Sequence, residues 1–383
     1  MRGQLTYVAL VGFLLAAALQ GSAGAAAMGE VIPPKGKAAH AEKLALVSCQ
    51  KCHSKAAGST AASVHGRAGL DCQSCHGTHT VTRAAMLGVA GCETCHAPTV
   101  QAYQGSIHGK ARASGVMEAA QRSDCHGATH QLRPQSDPVA QTNRTRVAES
   151  CGRCHGDRTL VERRGIPIPK AYQLYQKSVH ARAVAAGKPA ATCNGCHESH
   201  DLRRANDPNS SIYRENIPKT CGKCHTQQGS KYLGSIHGIA LARGVTKSPV
   251  CTDCHGEHSI RAARDPDSPV SVLAVSKTCA SCHEAEGISE KYDIPGGRLQ
   301  TYADSFHGLA IRGGSKVAAN CASCHGIHDI RSSADPKSAI HPDSLPATCG
   351  KCHPGAGANF AKGKVHVSLT AREQPILFYA REF

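Results

Sequence analysis

Ten copies of one five-residue string, C-x-x-C-H, carry most of the reactive side chains in this 383-residue sequence. They join Cys49 to Cys52, Cys72 to Cys75, Cys92 to Cys95, Cys151 to Cys154, Cys193 to Cys196 and Cys221 to Cys224. The remaining four join Cys251 to Cys254, Cys279 to Cys282, Cys321 to Cys324 and Cys349 to Cys352. The histidines that close them are His53, His76, His96, His155, His197, His225, His255, His283, His325 and His353. An eleventh copy, Arg122-Ser123-Asp124-Cys125-His126, has Arg where the first Cys belongs. These strings use all 21 cysteines. Two thiols three positions apart can each add to one of the two vinyl groups on one edge of a haem. The adjoining His can then turn under the ring and bind the iron from one face. Structural zinc also uses C-x-x-C, but it combines two such pairs and has no need of a His after each. A disulfide framework conflicts with the odd cysteine count and with the length of the chain.

Eleven further histidines balance the eleven in the motifs. Five stand in S-x-H contexts, His65, His108, His180, His237 and His307, and His366 in Lys364-Val365-His366 is a variant of them. Five more follow every second motif by a short step: His79, His130, His200, His258 and His328. Twenty-two of the 24 histidines are thereby used, leaving His40 and His341 as surface residues. The balance predicts two His ligands on every iron. Methionine, the other common sixth ligand, cannot compete: Met28 lies at the expected mature terminus, and Met86 and Met117 alone cannot serve eleven sites. Methionine raises the potential of a haem, so its absence predicts low, negative potentials.

In Cys72-Gln73-Ser74-Cys75-His76-Gly77-Thr78-His79 the two histidines are three residues apart. Histidines on opposite faces of one iron hold their Cα atoms about 12 Å apart, whereas three extended residues reach about 11 Å. Each short-step His must therefore serve a neighbouring haem, expected to be that of the preceding motif. Such bridges would hold haems almost in contact, where electron tunnelling is fast.

The elements that must position these groups form a repeat. A first motif leads to S-x-H, a second motif to its short-step His, and Asp-Pro follows at Asp137-Pro138, Asp207-Pro208, Asp265-Pro266 and Asp335-Pro336. Asp-Pro reads as a turn that breaks helices. The expected division is a signal peptide at 1–27 and five two-haem modules at 28–91, 92–150, 151–220, 221–278 and 279–348. A terminal half-module with an apolar tail fills 349–383. Aromatic residues at 4% are too few for ordinary cores, and 38 Gly and 19 Pro punctuate the chain, so cofactors must fill the interior. No sustained strand alternation is present, and short helices are expected near the motifs. The signal peptide is read from Arg2, an apolar run over 7–19 and small residues through Ala25-Ala26-Ala27. Thirteen apolar residues fall short of a membrane span. Export to the periplasm or cell surface follows, with no transmembrane segment in the mature chain.

This organisation resembles the periplasmic and extracellular multihaem c-type cytochromes with paired C-x-x-C-H motifs. They include the decahaem conduits that plug outer-membrane porins and the cytochromes of metal- and sulfur-reducing bacteria. The resemblance covers about residues 40 to 370. It implies a haem-dominated fold of short α-helices and irregular coil with very little β, drawn out as an elongated repeat array. It also implies an electron carrier, not an enzyme, forming a wire in respiratory electron transport. Its partners would be redox proteins, either a membrane quinol oxidase or reductase module or an outer-membrane conduit. Two alternatives stay open. One is a cytochrome that self-associates into a filament, as a non-closing head-to-tail contact permits. The other is a multihaem reductase of the nitrite, hydroxylamine or tetrathionate type, which needs an open iron position that the histidine balance does not leave.

The cofactor count is eleven haem c, or ten if the Arg122 site is empty. The formal charge of +16 would otherwise suggest nucleic acid, but haem propionates reverse it. With Arg2 removed and all irons ferrous the sum is about −7, rising to about +4 when all are ferric. Lys and Arg therefore read as propionate partners and solvated surface, and no nucleic-acid partner is expected. The apolar tail at 375–379 reads as a segment packed on a haem or as a docking strip.

Overall fold

The computed structural model describes residues 49–51, 53–76, 90–292, 294, 296–362, 365–367, 376 and 379–380. The signal peptide, His40, Cys52, His79, Met86 and most of the apolar tail lie outside them. Among the described residues there are 21 short α-helices, a few 3₁₀ turns and no strand. None of these helices is long and apolar enough to cross a membrane. The longest, Ala90–Gly105, leaves helical geometry at His96 (φ −115°, ψ 34°) and holds Pro98.

The apolar core is small. Among the described residues eleven buried apolar residues are matched by twelve buried polar ones, ten of them serines, and the cluster of Tyr232, Leu241 and Val250 draws in Ile217 from its rim. Side chains this few and small cannot fill a 383-residue interior. The order comes from repeated hydrogen-bonded devices instead.

The first device starts the S-x-H helices. Ser106, Ser178, Ser235 and Ser305 each N-cap a seven-residue helix, accepting the N–H of Gly109, Ala181, Gly238 or Gly308. Three residues before each serine stands a tyrosine. The hydroxyls of Tyr103, Tyr175, Tyr232 and Tyr302 donate to the carbonyls of Ala120, Ala191, Pro249 and Ala319 at 2.8–3.0 Å. Each acceptor lies two residues before a second motif, so one tyrosine ties the distal helix to the next haem string. In the first repeat Thr60 takes this place and bonds Ala56 instead. Glycine is favoured after the His because a Cβ at Gly238 would lie 2.1 Å from the Tyr232 carbonyl oxygen. Where Ala181 stands there, the following turn is opened, with Arg182 N to Ser178 O at 3.3 Å against 2.9 Å for Ile239 to Ser235.

The second device is the expected Asp-Pro turn. Arg133, Arg203, Arg261 and Arg331 each donate to the aspartate four residues on, at 2.8–3.0 Å. The other carboxylate oxygen accepts the backbone N–H two residues beyond the aspartate, from Val139, Asn209, Asp267 or Lys337. A carboxylate of the chain thus holds each of these guanidinium groups.

The third device joins successive repeats. The N–H groups of Val64, Ile107, Val179 and Ile236, each one residue before an S-x-H histidine, donate to the carbonyls of Leu132, Leu202, Ile260 and Ile330. Each acceptor lies two residues after a short-step His. Four main-chain bonds of 2.8–2.9 Å thus bring the two kinds of non-motif histidine to the same junction.

Candidate functional site

One turn of helix sets Cys(i), Cys(i+3) and His(i+4) on adjacent positions of one face. The strings Cys193–His197, Cys251–His255 and Cys321–His325 each form such a turn. The residue between the cysteines helps: Asp253 accepts the N–H of Val250, and Ser323 that of Asn320. Gly256 and Gly326 end the turn at φ 77° and 83°, and Glu198 adopts φ 65° in the same position. First motifs are built differently, at the end of longer helices such as Val147–His155 and Val275–His283.

The structure brings twenty of the 22 histidines proposed as ligands into ten pairs, each joining one motif His to one non-motif His. S-x-H histidines reach forward: His65 faces His96, His108 faces His155, His180 faces His225, His237 faces His283 and His307 faces His353. Short-step histidines reach backward: His130 faces His76, His200 faces His126, His258 faces His197 and His328 faces His255. His366 faces His325. No short-step His among these faces its own motif, as the reach limit requires. Where the preceding motif was expected, each of these four faces the His of the motif two back. The junction bonds are the reason, since they hold each short-step segment against the previous repeat.

Ring centres in all ten pairs are 6.0–6.3 Å apart. Two imidazoles on one metal need this spacing: about 2.0 Å for each metal–nitrogen bond plus about 1.1 Å to each ring centre gives about 6.2 Å. Among the described residues no three His, Cys, Asp or Glu side chains gather to hold an ion. A metal between two imidazoles therefore fits a group that brings its own equatorial ligands. Burial pushes His197 and His237 down to about 4, toward the neutral form that ligates. The facing imidazoles, His258 and His283, add to this.

The thiols are also in sequence. In three repeats the first cysteines of the two motifs lie within hydrogen-bonding reach of each other. Cys193 holds Cys151 up and Cys251 holds Cys221 up, while Cys279 lowers Cys321 to about 6. Cys72 is raised by burial and then by Cys49. Between repeats the second cysteine feels the next motif: Cys75 feels Cys92 and Cys95, Cys196 feels Cys221 and Cys224, and Cys324 feels Cys349 and Cys352. The cysteine edges of consecutive motifs are therefore neighbours along the chain.

His341 joins no pair; its Nδ1 accepts the N–H of Asp343 at the start of a 3₁₀ turn. Met117 is exposed. The tyrosine anchors went unread in the sequence, although Y-x-x-S-x-H recurs four times.

Residues 68–238 match the family model described as outer membrane cytochrome MtrC/MtrF-like, domains II/IV. No curated protein and no solved structure matches the chain.

Proposed function

We propose that the chain, whose residues 68–238 match the outer membrane cytochrome model, is a multihaem c-type cytochrome that passes electrons along covalently held, bis-His haems in the order of their motifs. The observation that carries this reading is the ten imidazole pairs at metal-spanning distance. Cysteine pairs would attach each porphyrin by its vinyl edge, and the facing histidines would hold its iron from both sides. When bound, haem supplies reversible one-electron exchange between ferric and ferrous iron. Burial favours the neutral form at His197 and His237, and the serine caps, tyrosine anchors and Arg–Asp turns would fix the rings. The adjacency of cysteine edges supports chain order as the order of transfer, because tunnelling favours the nearest neighbour.

His53 is the one motif His without a partner assigned above, and His79 is the one ligand candidate left. We assign them to each other, the first repeat having no earlier motif for its short-step His to reach. The module boundaries at 92, 151, 221, 279 and 349 belong to the same proposal. So do a site of work outside the cytoplasm and a redox protein of an outer-membrane conduit as partner.

The test is a spectroelectrochemical titration of the matured protein with an iron count. Reversible low-spin haem bands at negative potentials, one haem per motif, are expected. A colourless protein, or bands that do not respond to potential, would overturn the reading.

A further inference from the structure

We propose that the degenerate motif at 122–126 holds a haem by a single thioether, from Cys125, with His126 and His200 as ligands and Arg122 packed where the other thioether would lie. The inference rests on the reading above and concerns the one string whose chemistry is incomplete.

The site is built like its intact counterparts. Arg122–His126 forms the same one-turn helix as Cys251–His255. Asp124 accepts the N–H of Gln121 at 2.8 Å as Asp253 accepts that of Val250. Gly127 ends the turn at φ 82°, ψ −169°, beside 77° and −178° at Gly256. His126 and His200 stand 6.0 Å apart and are within 7° of parallel, the best-aligned of the described pairs. The distal anchors persist too: Tyr103 bonds Ala120 just before the string, and Ile107 bonds Leu202 just after His200. A string that had lost its cofactor would have no cause to hold this geometry.

Arg122 supplies a second observation. One guanidinium nitrogen donates to Thr129 Oγ1, while the other, Nη1, is buried with no partner. Burying such a group without a hydrogen-bond partner is costly, whereas guanidinium planes pack well on aromatic faces. In other repeats two thiols meet at the corresponding place. A porphyrin edge carrying an unreacted vinyl would lie beside the guanidinium plane.

The attachment is balanced as a simple addition. The S–H of Cys125 adds across one vinyl C=C, sulfur bonding the inner carbon and hydrogen the outer. No group leaves and no electron is transferred. The second vinyl stays intact, since Arg122 has no thiol to add.

Intact mass of the denatured, matured protein should show eleven attached haems, and Cys125→Ser should show ten. The alkaline pyridine spectrum should carry one α-band component displaced to the red by the conjugated vinyl. Arg122→Cys should abolish that component while leaving the haem count at eleven. Ten haems in both wild type and Cys125→Ser would overturn single attachment yet leave the electron-carrier reading intact. Eleven in Cys125→Ser would also overturn it. No haem in any form would defeat the underlying reading instead. If Cys125→Ser does not mature, the Arg122→Cys spectrum decides alone, and an unchanged α band contradicts the proposal.

Discussion

Where the partner of a motif His comes from an S-x-H helix, the paired imidazoles are crossed by 40–59°. At the four sites served by short-step histidines they lie within 7–25° of parallel. The distal segment sets the difference. S-x-H places its His in the first turn of a serine-capped helix, whereas the short-step His rides on a turn held by the Arg–Asp clasp. His325 makes the point, because its motif helix matches that of His255 while its partner is His366. Its pair is crossed by 50°, and His366 is steadied by Thr301 Oγ1 at 3.0 Å. Parallel imidazoles donate into the same iron d orbital and split the pair widely, whereas crossed ones donate into both. The account therefore expects two electronic kinds of ferric haem, alternating along much of the chain.

The largest test of this contrast removes one distal ligand of each kind. His237→Ala and His258→Ala should each create a single high-spin ferric site, one at the crossed His283 and one at the parallel His197. Electron paramagnetic resonance should show the two variants losing one site's intensity from different low-spin families. Loss from the same family would erase the distinction.

Tyr232→Phe probes the crossed kind alone. It strands the Pro249 carbonyl beside a buried ring and should cost about 1–2 kcal/mol in denaturant unfolding. The crossed His237 site should broaden while the parallel signals keep their shape. An effect confined to parallel sites would contradict the anchor's assigned role.

Acid should act on the parallel kind. Hydrogen bonding from Arg133 and then from the Val139 N–H holds Asp137 below its usual value. For Asp207, Asp265 and Asp335 the backbone N–H comes first and the arginine second. A carboxylate lowered on folding stabilises fully above its unfolded value of about 3.9 and loses that contribution as pH falls through the folded value. Below about pH 3.9, parallel signals should therefore give way to high-spin ones before crossed signals do. Simultaneous loss of both would deny the clasp its role.

The smallest expected effect is at Glu198, which adopts φ 65°, ψ 179° where three other strings place Gly127, Gly256 and Gly326. Glu198→Gly should gain about 1 kcal/mol of stability, less a few tenths for the lost Lys223 pair at 2.8 Å. A denaturation midpoint below that of wild type would show that the strain is not relieved.

The chemistry of this molecule was legible because covalent attachment leaves an unmistakable spacing, and because histidines had to balance in number. The short helices, the absence of strands among the described residues and the Asp-Pro turns were legible from composition and punctuation. Which His meets which motif was not. Val179 N to Ile260 O and its equivalents decide the pairing, and main-chain bonds leave no mark in side-chain identity. The Arg–Asp clasp and the tyrosine anchors were readable in principle, as R-x-x-x-D-P and Y-x-x-S-x-H. The carbonyls that the tyrosines reach leave no pattern of their own, because every residue supplies one.

The most direct test of paired-imidazole ligation is low-temperature electron paramagnetic resonance on the fully oxidised, matured protein, integrated against its iron content. The account predicts low-spin ferric iron throughout, divided between a parallel and a more abundant crossed family. High-spin iron at several sites, or iron that integrates to a single family, would contradict it.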